Sequence, residues 1–412
     1  MSWRMKSERS WGRLGMKYET YTMEDALEEI IDYRGKTPKK SDSGIPTLSA
    51  KSVKNNHIDY SLCYYISPDE YKHFMVRGFP KVGDVLLTTE APMGMVARLD
   101  RDDVGIAQRL LTLRGKPGVL DNEYLLYFLQ SSIGQSLLKA RETGTTVTGI
   151  KQAEFRKIQI DIPEISVQKK IGGILRSLDQ KIEINNKINE NLLQQALAIY
   201  KAWFCDYVLS DGVLPESWHI TTIDALSSLV TRGIAPKYDD SSTQIVLNQK
   251  CIRDHTIDVS LARRHLPKKI NEKWISKGDL LINSTGTGTL GRVAQVWFDA
   301  NNMTVDSHVT IVRPKAPILQ SYIGFWGLSH ESEIEAQHTG STGQTELPRD
   351  RVKAMELTLP DEDTLSKFNE LVIPITEAVV SNQKENVRLS QLRDTLLPKL
   401  MSGEIDVSEL EP

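Results

Sequence analysis

Cysteine is scarce in this sequence. The chain has 412 residues and only three cysteines, Cys63, Cys205 and Cys251, which lie far apart and form no C-x-x-C pair. This spacing argues against a disulfide framework and against a thiolate zinc site. Such cysteine usage is typical of proteins in a reducing cytoplasm.

Long hydrophobic runs are also absent. No stretch of about 18 apolar residues occurs, and Met1-Ser2-Trp3-Arg4 leads into charged residues instead of the apolar core of a signal peptide. We therefore expect no membrane span and no secretion, and we place the protein in the cytoplasm.

An excess of charge of one sign is lacking too. The 51 Lys and Arg residues nearly balance the 54 Asp and Glu residues, for a net charge of −3. Any DNA binding must therefore come from local patches. With 40% hydrophobic and 25% charged residues, the composition is that of a folded globular protein. A chain of this length predicts two or three domains.

Nucleotide-binding and methyltransferase motifs are missing or incomplete. Residues 286–291 match G-x-G-x-x-G, but the next residues, 292–298, alternate like a strand where a dinucleotide site needs a helix. A β-turn or a DNA-facing loop is the preferred interpretation. The segment also lacks the Lys of a P-loop. No N-P-P-[FY] or D-P-P-[YW] sequence occurs, which argues against a stand-alone amino-methyltransferase.

Nuclease and metal signatures are equally weak. Residues 70–72 form an E-x-K triplet and residues 179–181 a D-x-K triplet, but such triplets are common in a chain that is one-quarter charged. The second lies in a predicted helix, where it indicates a solvated face. None of the His pairs has metal-ligand spacing. The sequence thus predicts no catalytic residue and no metal site in this chain.

The chain repeats itself. Four blocks recur in the same order at offsets of 195 to 198 residues, which predicts two copies of one unit. The paired blocks are 34–39 (RGKTPK) with 232–237 (RGIAPK), 81–87 (KVGDVLL) with 276–282 (SKGDLLI), 144–146 (GTT) with 340–342 (GST), and 158–163 (IQIDIP) with 355–360 (MELTLP).

Each copy has two parts. The first part mixes short β-rich runs, turn residues and one helical stretch, which predicts a compact α+β domain. The second has few turn signals and a sustained helical period. The predicted boundaries are 1–164 for the first domain, 165–210 for the first long helix, 211–361 for the second domain, and 362–412 for the second long helix with an acidic tail.

The two long helices carry matching heptad seams. From Ile171 to Trp203, the residues of the first seam are spaced alternately four and three residues apart. The second seam lies 197 residues further along the chain. Each seam has two central Asn residues, which fix register because slipped pairing buries an amide without a partner. We predict an antiparallel coiled coil in which all four meet; two separate amphipathic helices are the alternative. The four are Asn185, Asn189, Asn382 and Asn386.

The helices also contain residues that disfavour helix. Gly172 and Gly173 in the first, and Pro374 in the second, predict a kink or a late start. The 38 residues from Val167 to Phe204 would form a rod of about 57 Å at 1.5 Å per residue. A rod of that length would hold the two domains apart.

Polar loops at matching places are the candidate DNA contacts. They offer cations, hydroxyls and backbone N–H groups that suit phosphates and guanine. Ordinary solvated charges and tight turns would look the same, and this alternative stays open. The candidates are Arg34, Lys36, Lys39, Thr145 and Thr146 in the first copy, and Arg232, Lys237, Thr285, Thr287, Arg292, Ser341, Thr342 and Gln344 in the second.

The ordered blocks, given twice, together with Leu214-Pro215-Glu216-Ser217-Trp218 at the start of the second copy, resemble the specificity (S) subunits of type I restriction–modification systems. The resemblance covers essentially the whole chain. It implies two target recognition domains, each reading half of a split DNA site, and two helices that pack as an antiparallel spacer. Residues 89–94 depart from the family's loop pattern, where a Gly-Thr element is expected.

The same resemblance implies partners and cofactors. Two modification subunits would supply S-adenosylmethionine and adenine N6 methylation. Restriction subunits would supply translocation driven by ATP, with Mg²⁺, and cleavage. This chain would bind double-stranded DNA, hold no cofactor and be non-catalytic by itself.

Two other functional classes stay open at this point. A two-headed coiled-coil scaffold would bind proteins instead of DNA, with little dependence on salt. An enzyme acting alone would bind S-adenosylmethionine or cut DNA in a metal-dependent way.

The seam Asn residues give a first test. Replacing Asn185 and Asn189 by Leu should preserve folding, because Leu suits a heptad core, but should loosen the register of the helices. The preferred spacing between half-sites in DNA selection then broadens. An unchanged spacer preference and an unchanged crystal structure would refute the assignment.

Overall fold

A computed structural model of the chain describes residues 17–144, 148–266, 273–340 and 345–410. The chain divides into two compact units. The first comprises Met1–Glu183 with Asn386–Pro412, and the second comprises Ile184–Glu385. Each unit therefore contains one α+β domain and a segment of both long helices. None of the described helices has the length and apolar character needed to cross a membrane.

The first unit is built on two four-stranded sheets, ordered β2-β11-β8-β9 and β10-β4-β7-β3, with two smaller pairs, β1-β12 and β5-β6. Its strands are β1 (Tyr18–Thr22), β2 (Leu27–Asp32), β3 (Lys40–Ser41), β4 (Ile45–Leu48), β5 (Val53–Lys54), β6 (His57–Ile58), β7 (Tyr64–Ile66), β8 (Val85–Thr88), β9 (Val96–Arg98), β10 (Gly105–Ile106), β11 (Leu110–Gly115) and β12 (Gln159–Pro163). Its short helices are α1 (Met23–Ala26), α2 (Pro68–Phe74), α3 (Asn122–Gln130), α4 (Ser132–Ala140) and α5 (Gln152–Arg156).

The first long helix, α6 (Ile165–Phe204), leads into the second unit, whose sheets are ordered β14-β22-β19-β20 and β18-β15-β21, with pairs β13-β23 and β16-β17. Its strands are β13 (His219–Thr222), β14 (Ser227–Arg232), β15 (Gln244–Leu247), β16 (Ile252–Arg253), β17 (Thr256–Ile257), β18 (Arg263–His265), β19 (Leu280–Asn283), β20 (Val293–Gln295), β21 (Met303–Val305), β22 (Val309–Pro314) and β23 (Glu356–Leu359). Its helices are α7 (Ile223–Leu226), α8 (Gln320–Ser329), α9 (Glu331–Ala336), α10 (Arg349–Lys353) and the long α11 (Glu362–Ser402).

The duplication extends to strand order. The antiparallel sheet β2-β11-β8-β9 matches β14-β22-β19-β20 strand for strand, and the parallel pair β4-β10 matches β15-β21. At the place of β3, the described part of the second domain has a single antiparallel bridge, between Tyr238 and His265. The predicted α+β class and tandem duplication are confirmed.

The long helices run antiparallel within each unit. In the first unit, Arg393 pairs with Asp179 at 2.7 Å, and Lys170 donates to the carbonyl of Ser408. In the second unit, the rings of Phe204 and Phe368 lie 4.9 Å apart. The end of α6 therefore packs against the start of α11, and the start of α6 packs against the end of α11, within the respective units.

A kink or a late start was predicted; the late start was wrong, since α6 is continuous past Gly172 and α11 is continuous past Pro374, and the kink stays a prediction. Gly172 is buried, and a Cβ there would lie 2.9 Å from Glu123 Cβ and 3.0 Å from the Tyr124 nitrogen. This glycine therefore lets the start of α3 approach α6 closely.

The predicted solvated face at Asp179 was also wrong. Its carboxylate is buried, accepts a 2.7 Å hydrogen bond from the Tyr127 hydroxyl and pairs with Arg393. Burial and the nearby Asp179 charge raise the pKa of Tyr127 well above its ordinary value. Both partners are distant in sequence, so the local pattern could not reveal them.

Both cores combine domain residues with helix residues. In the first unit, Leu175 and Leu400 from the two long helices join the apolar face of β11, β8 and α3. In the second, Ala196, Tyr200 and Phe368 from the same two helices pack with α8 and the β22 sheet. The helix segments are thus part of each domain's core.

The repeated Gly-Asp block has a structural role. Asp84 accepts two hydrogen bonds from Arg114, at 2.8 and 2.7 Å, and one from the backbone N–H of Lys81 at 2.8 Å. Asp279 accepts the same set from Arg313 and Ser276. In each domain this buried carboxylate ties a turn to the central strand of the sheet.

The buried pair gives a stability prediction. Asp279→Asn removes the charge opposite Arg313 and leaves that guanidinium uncompensated. We expect the free energy of unfolding to fall toward the lower end of about 3–5 kcal/mol, because Arg313 is one-quarter exposed. Chemical denaturation measures the change. Asp103→Asn, which breaks an exposed pair with Arg101, is the control and should leave the midpoint of chemical denaturation unchanged. Equal effects of the two substitutions would contradict a stabilising role for the buried Asp279–Arg313 pair.

Candidate nucleic-acid interface

Three loops meet at one end of the central sheet of the first unit. Antiparallel pairing of Leu111 with Asp32 and of Leu110 with Thr88 places the end of β2, the end of β8 and the start of β11 together. The backbone N–H of Ile150 donates to Thr89 O at 3.0 Å, which brings the bridged residues Thr143 and Gly149 close to the end of β8. The first interface is defined here as residues 33–39, 89–94, 108–109, 143–144 and 148–149.

A carboxylate lies between two guanidiniums in the first interface. Glu90 Oε1 is 2.8 Å from Arg34 Nη2, and Glu90 Oε2 is 3.5 Å from Arg109 Nε. The side chains of Arg34 and Arg109 are 40% and 53% exposed. Glu90 therefore offsets part of the positive charge at this surface and orients both arginines.

The second unit repeats this junction with different side chains. The backbone N–H of Ser284 donates to His308 O at 2.8 Å, just as that of Thr89 donates to Arg109 O at 3.0 Å. Thr285 takes the place of Glu90, and its hydroxyl hydrogen-bonds to His308 Nδ1 at 2.7 Å. The second interface is defined here as residues 233–238, 284–291, 307–308, 339–340 and 345–346.

The second interface has its own ion pair. Arg232 Nη1 lies 2.6 Å from Glu346 Oε1, and Arg232 Nη2 donates to the carbonyl of Leu347 at 2.9 Å. Asp306 accepts a hydrogen bond from the backbone N–H of His308 at 2.9 Å, and burial raises the pKa of this carboxyl. The two interfaces thus share a backbone frame but present different charges.

Four of the predicted cations differ from Arg34 and Arg232. Lys36, Lys39 and Lys237 are exposed, Arg292 is half-buried, and none of them forms an ion pair with another described residue. Mobile, unpaired cations of this kind are suited to phosphate contacts. The paired arginines are instead held in fixed directions.

The predicted loop around residues 286–291 is confirmed. Strand β19 precedes it and β20 follows, antiparallel to β19, so the segment connects two strands and does not open a helix. Thr287 lies exposed at its tip. The corresponding loop of the first unit, 89–93, is two residues shorter, since Gly94 N–H bonds to Thr88 O where Gly291 N–H bonds to Asn283 O. This shortening accounts for the departure noted at residues 89–94.

Five predicted contact residues lie outside the described part of the chain. They are Thr145, Thr146, Ser341, Thr342 and Gln344. The described residues on either side of them form matching bridges, Thr143 with Gly149 and Thr339 with Glu346. Their contact with DNA stays a prediction.

Two residues at the junctions escaped the sequence reasoning. Arg109 is an isolated arginine before a strand, outside every repeated block, and the sequence gives no signal for it. His308 stands in the suggestive run Asp306-Ser307-His308, but only the strand pairing shows that it occupies the place of Arg109.

Three of the seam Asn residues, Asn185, Asn189 and Asn382, contact the opposite long helix. Within the second unit, Asn189 Oδ1 accepts from Asn382 Nδ2 at 2.8 Å, and buried Asn185 donates to Glu385 at 2.7 Å. Asn386 belongs to the first unit. The meeting of all four Asn residues stays a prediction.

Comparison with known proteins gives one consistent family. A family model described as a type I restriction modification DNA specificity domain matches residues 19–194. The type I restriction enzyme MjaIX specificity subunit of Methanocaldococcus jannaschii is 26% identical, with 89% of this chain and 88% of that protein covered. The HindI specificity subunit of Haemophilus influenzae is 22% identical, with 79% and 87% covered.

Residues 19–194 match the specificity-domain family, and the chain is similar along most of its length to type I restriction specificity subunits. The fold agrees: a crystal structure of the type I restriction-modification S subunit from M. genitalium matches with a TM-score of 0.56 at 16% identity, covering 95% of this chain and 98% of that one. In the described residues of the chain, no cluster of three or more His, Cys, Asp or Glu side chains is placed to hold a metal.

Glu90 provides a test of the electrostatics of the first interface. Glu90→Gln keeps the shape of the side chain but removes the charge between Arg34 and Arg109. We expect affinity for random duplex DNA to rise a few-fold at low salt, and the slope of log K against log salt to steepen by up to about 1. Glu24→Gln, at an exposed pair with Arg156, is the matched control. An unchanged slope for Glu90→Gln would contradict the placement of DNA at this surface.

Proposed function

We propose that this chain is the DNA sequence-recognition subunit of a type I restriction–modification complex, in which each recognition domain reads one half of a split, asymmetric site. One observation carries the proposal. Two domains of the same strand order place different side chains at equivalent points of the loop junction: Glu90 and Arg109 in one, Thr285 and His308 in the other. A shared frame with different reading groups suits two different half-sites.

The proposal extends to the other subunits of the complex. We propose that two modification subunits supply adenine N6 methylation with S-adenosylmethionine. Restriction subunits supply ATP-driven translocation and Mg²⁺-dependent cleavage. This chain would hold no cofactor, catalyse no step and work in the cytoplasm. The antiparallel helices would set the spacing between the half-sites.

The charge distribution supports a need for partners. The net charge of −3 leaves little general attraction for a polyanion, so specific binding depends on a few local cations. Part of the phosphate neutralisation would then come from the modification subunits. Affinity of the isolated chain for DNA is accordingly expected to be modest and to rise on assembly.

Selection from random duplexes tests the proposal. The purified chain, alone and mixed with the modification subunit from the same source, is incubated with a random duplex pool at two salt concentrations, and the retained DNA is sequenced. We expect two short, different motifs at one fixed spacing, with weaker retention at the higher salt.

Two outcomes would contradict the proposal. Recovery of no motif even with the modification subunit, together with salt-insensitive binding to a protein, would favour the scaffold. Cutting of DNA by the purified chain, or its binding of S-adenosylmethionine, would instead establish an enzyme acting alone.

A further inference from the structure

Arg109 lies where the loops of the first interface converge. Its carbonyl accepts the N–H of Thr89 at 3.0 Å, and its guanidinium Nε is 3.5 Å from Glu90. The preceding residue, Gln108, donates through its side-chain amide to the hydroxyl of Thr37 at 3.0 Å. This short segment therefore contacts both the 33–39 loop and the 89–94 loop.

The backbone of Arg109 is strained. Its φ is 72°, in the left-handed region that residues with a Cβ rarely adopt, whereas its counterpart His308 is not in that region. Strain of this kind persists only where the surroundings enforce it, and it clusters at functional sites. The hydrogen bonds at Thr89 and Thr37 supply the enforcement here.

The contacts of Arg109 leave the two terminal nitrogens of its guanidinium available. Its ion pair with Glu90 uses Nε, and no described residue pairs with its two terminal nitrogens. Arg34, by contrast, uses a terminal nitrogen on Glu90 and is less exposed, 40% against 53%. Two free, coplanar N–H donors match the O6 and N7 acceptors that guanine presents in the major groove.

Resting on the proposed function, we infer that Arg109 is a specificity-determining residue that contacts a guanine in the half-site of the first domain, with Glu90 as its positioning residue. The second domain carries the imidazole of His308 at the same point, and an imidazole cannot form this two-pronged contact. The two half-sites should therefore differ at the base facing this position.

The test compares Arg109→Lys with wild type in the full chain, together with the modification subunit, by selection and sequencing of random duplexes. Lysine keeps the charge and so keeps any phosphate contact, but it lacks the planar fork. We expect the preference for guanine at one position of one half-site to fall about tenfold, with the other half-site and the affinity for random DNA unchanged.

Arg101→Lys is the matched control. Arg101 is in the same domain and is 45% exposed, but it pairs with Asp103 beyond β9, at the opposite end of the sheet from Thr88. Its replacement should leave both half-sites unaltered. Thermal unfolding of both variants monitors folding.

The outcomes separate this inference from the proposed function. A split motif for wild type that Arg109→Lys leaves unchanged at every position, or a uniform loss of affinity across all sequences, overturns the role of Arg109 alone. If wild type selects no split motif, the proposed function fails and the inference fails with it.

Discussion

The burial of two long-helix segments against one recognition domain is the packing on which each compact unit depends. In the first unit, Ile171 and Leu175 meet Leu400 and Met401 beneath the sheet, and all four are at most 3% exposed. Burying such a side chain contributes about 1.5–3 kcal/mol. Four of them amount to a large share of the marginal stability of a domain. Neither domain therefore has a complete core without helix segments that are more than 160 residues apart in sequence.

This packing fixes the frame while leaving the loops free to vary. The loops of each interface are held by backbone hydrogen bonds. Leu347 N–H donates to Ser284 O in the second interface, and Ile150 N–H donates to Thr89 O in the first. Backbone bonds place few demands on the side chains that project from the same loops. One frame can then carry a carboxylate between two arginines in one copy and a hydroxyl bonded to an imidazole in the other. Specificity can change in this way without loss of the fold.

Much of the architecture could be predicted because it depends on patterns of residues that are visible in the sequence, such as repeats and heptads. The repeated blocks predicted the duplication, and the heptad seams predicted the long helices, because periodicity reports which face is buried. The Gly-Asp block was found by repetition, but its purpose required the structure, since Arg114 is 30 residues from Asp84.

The parts that escaped prediction depend on partners distant in sequence. Asp179 looked like a solvated charge because Tyr127 and Arg393 are brought to it only by tertiary packing. Arg109 gave no signal because its place at the junction follows from the pairing of β11 with β8. Lys36 was predicted as a DNA contact because it is a charged residue in a polar loop. The sequence alone could not show that Lys36 lacks an ion pair with any described residue, whereas Arg34 is paired with Glu90.

The central claim is that each recognition domain reads its own half of one DNA site. Site-specific photo-crosslinking tests it most directly, with a crosslinker introduced separately at Lys36 in the first domain and at Lys237 in the second, and with the assembled complex bound to its selected duplex. The account predicts that position 36 labels one half-site only and position 237 labels the other only. Labelling of the same half-site from both positions would contradict it.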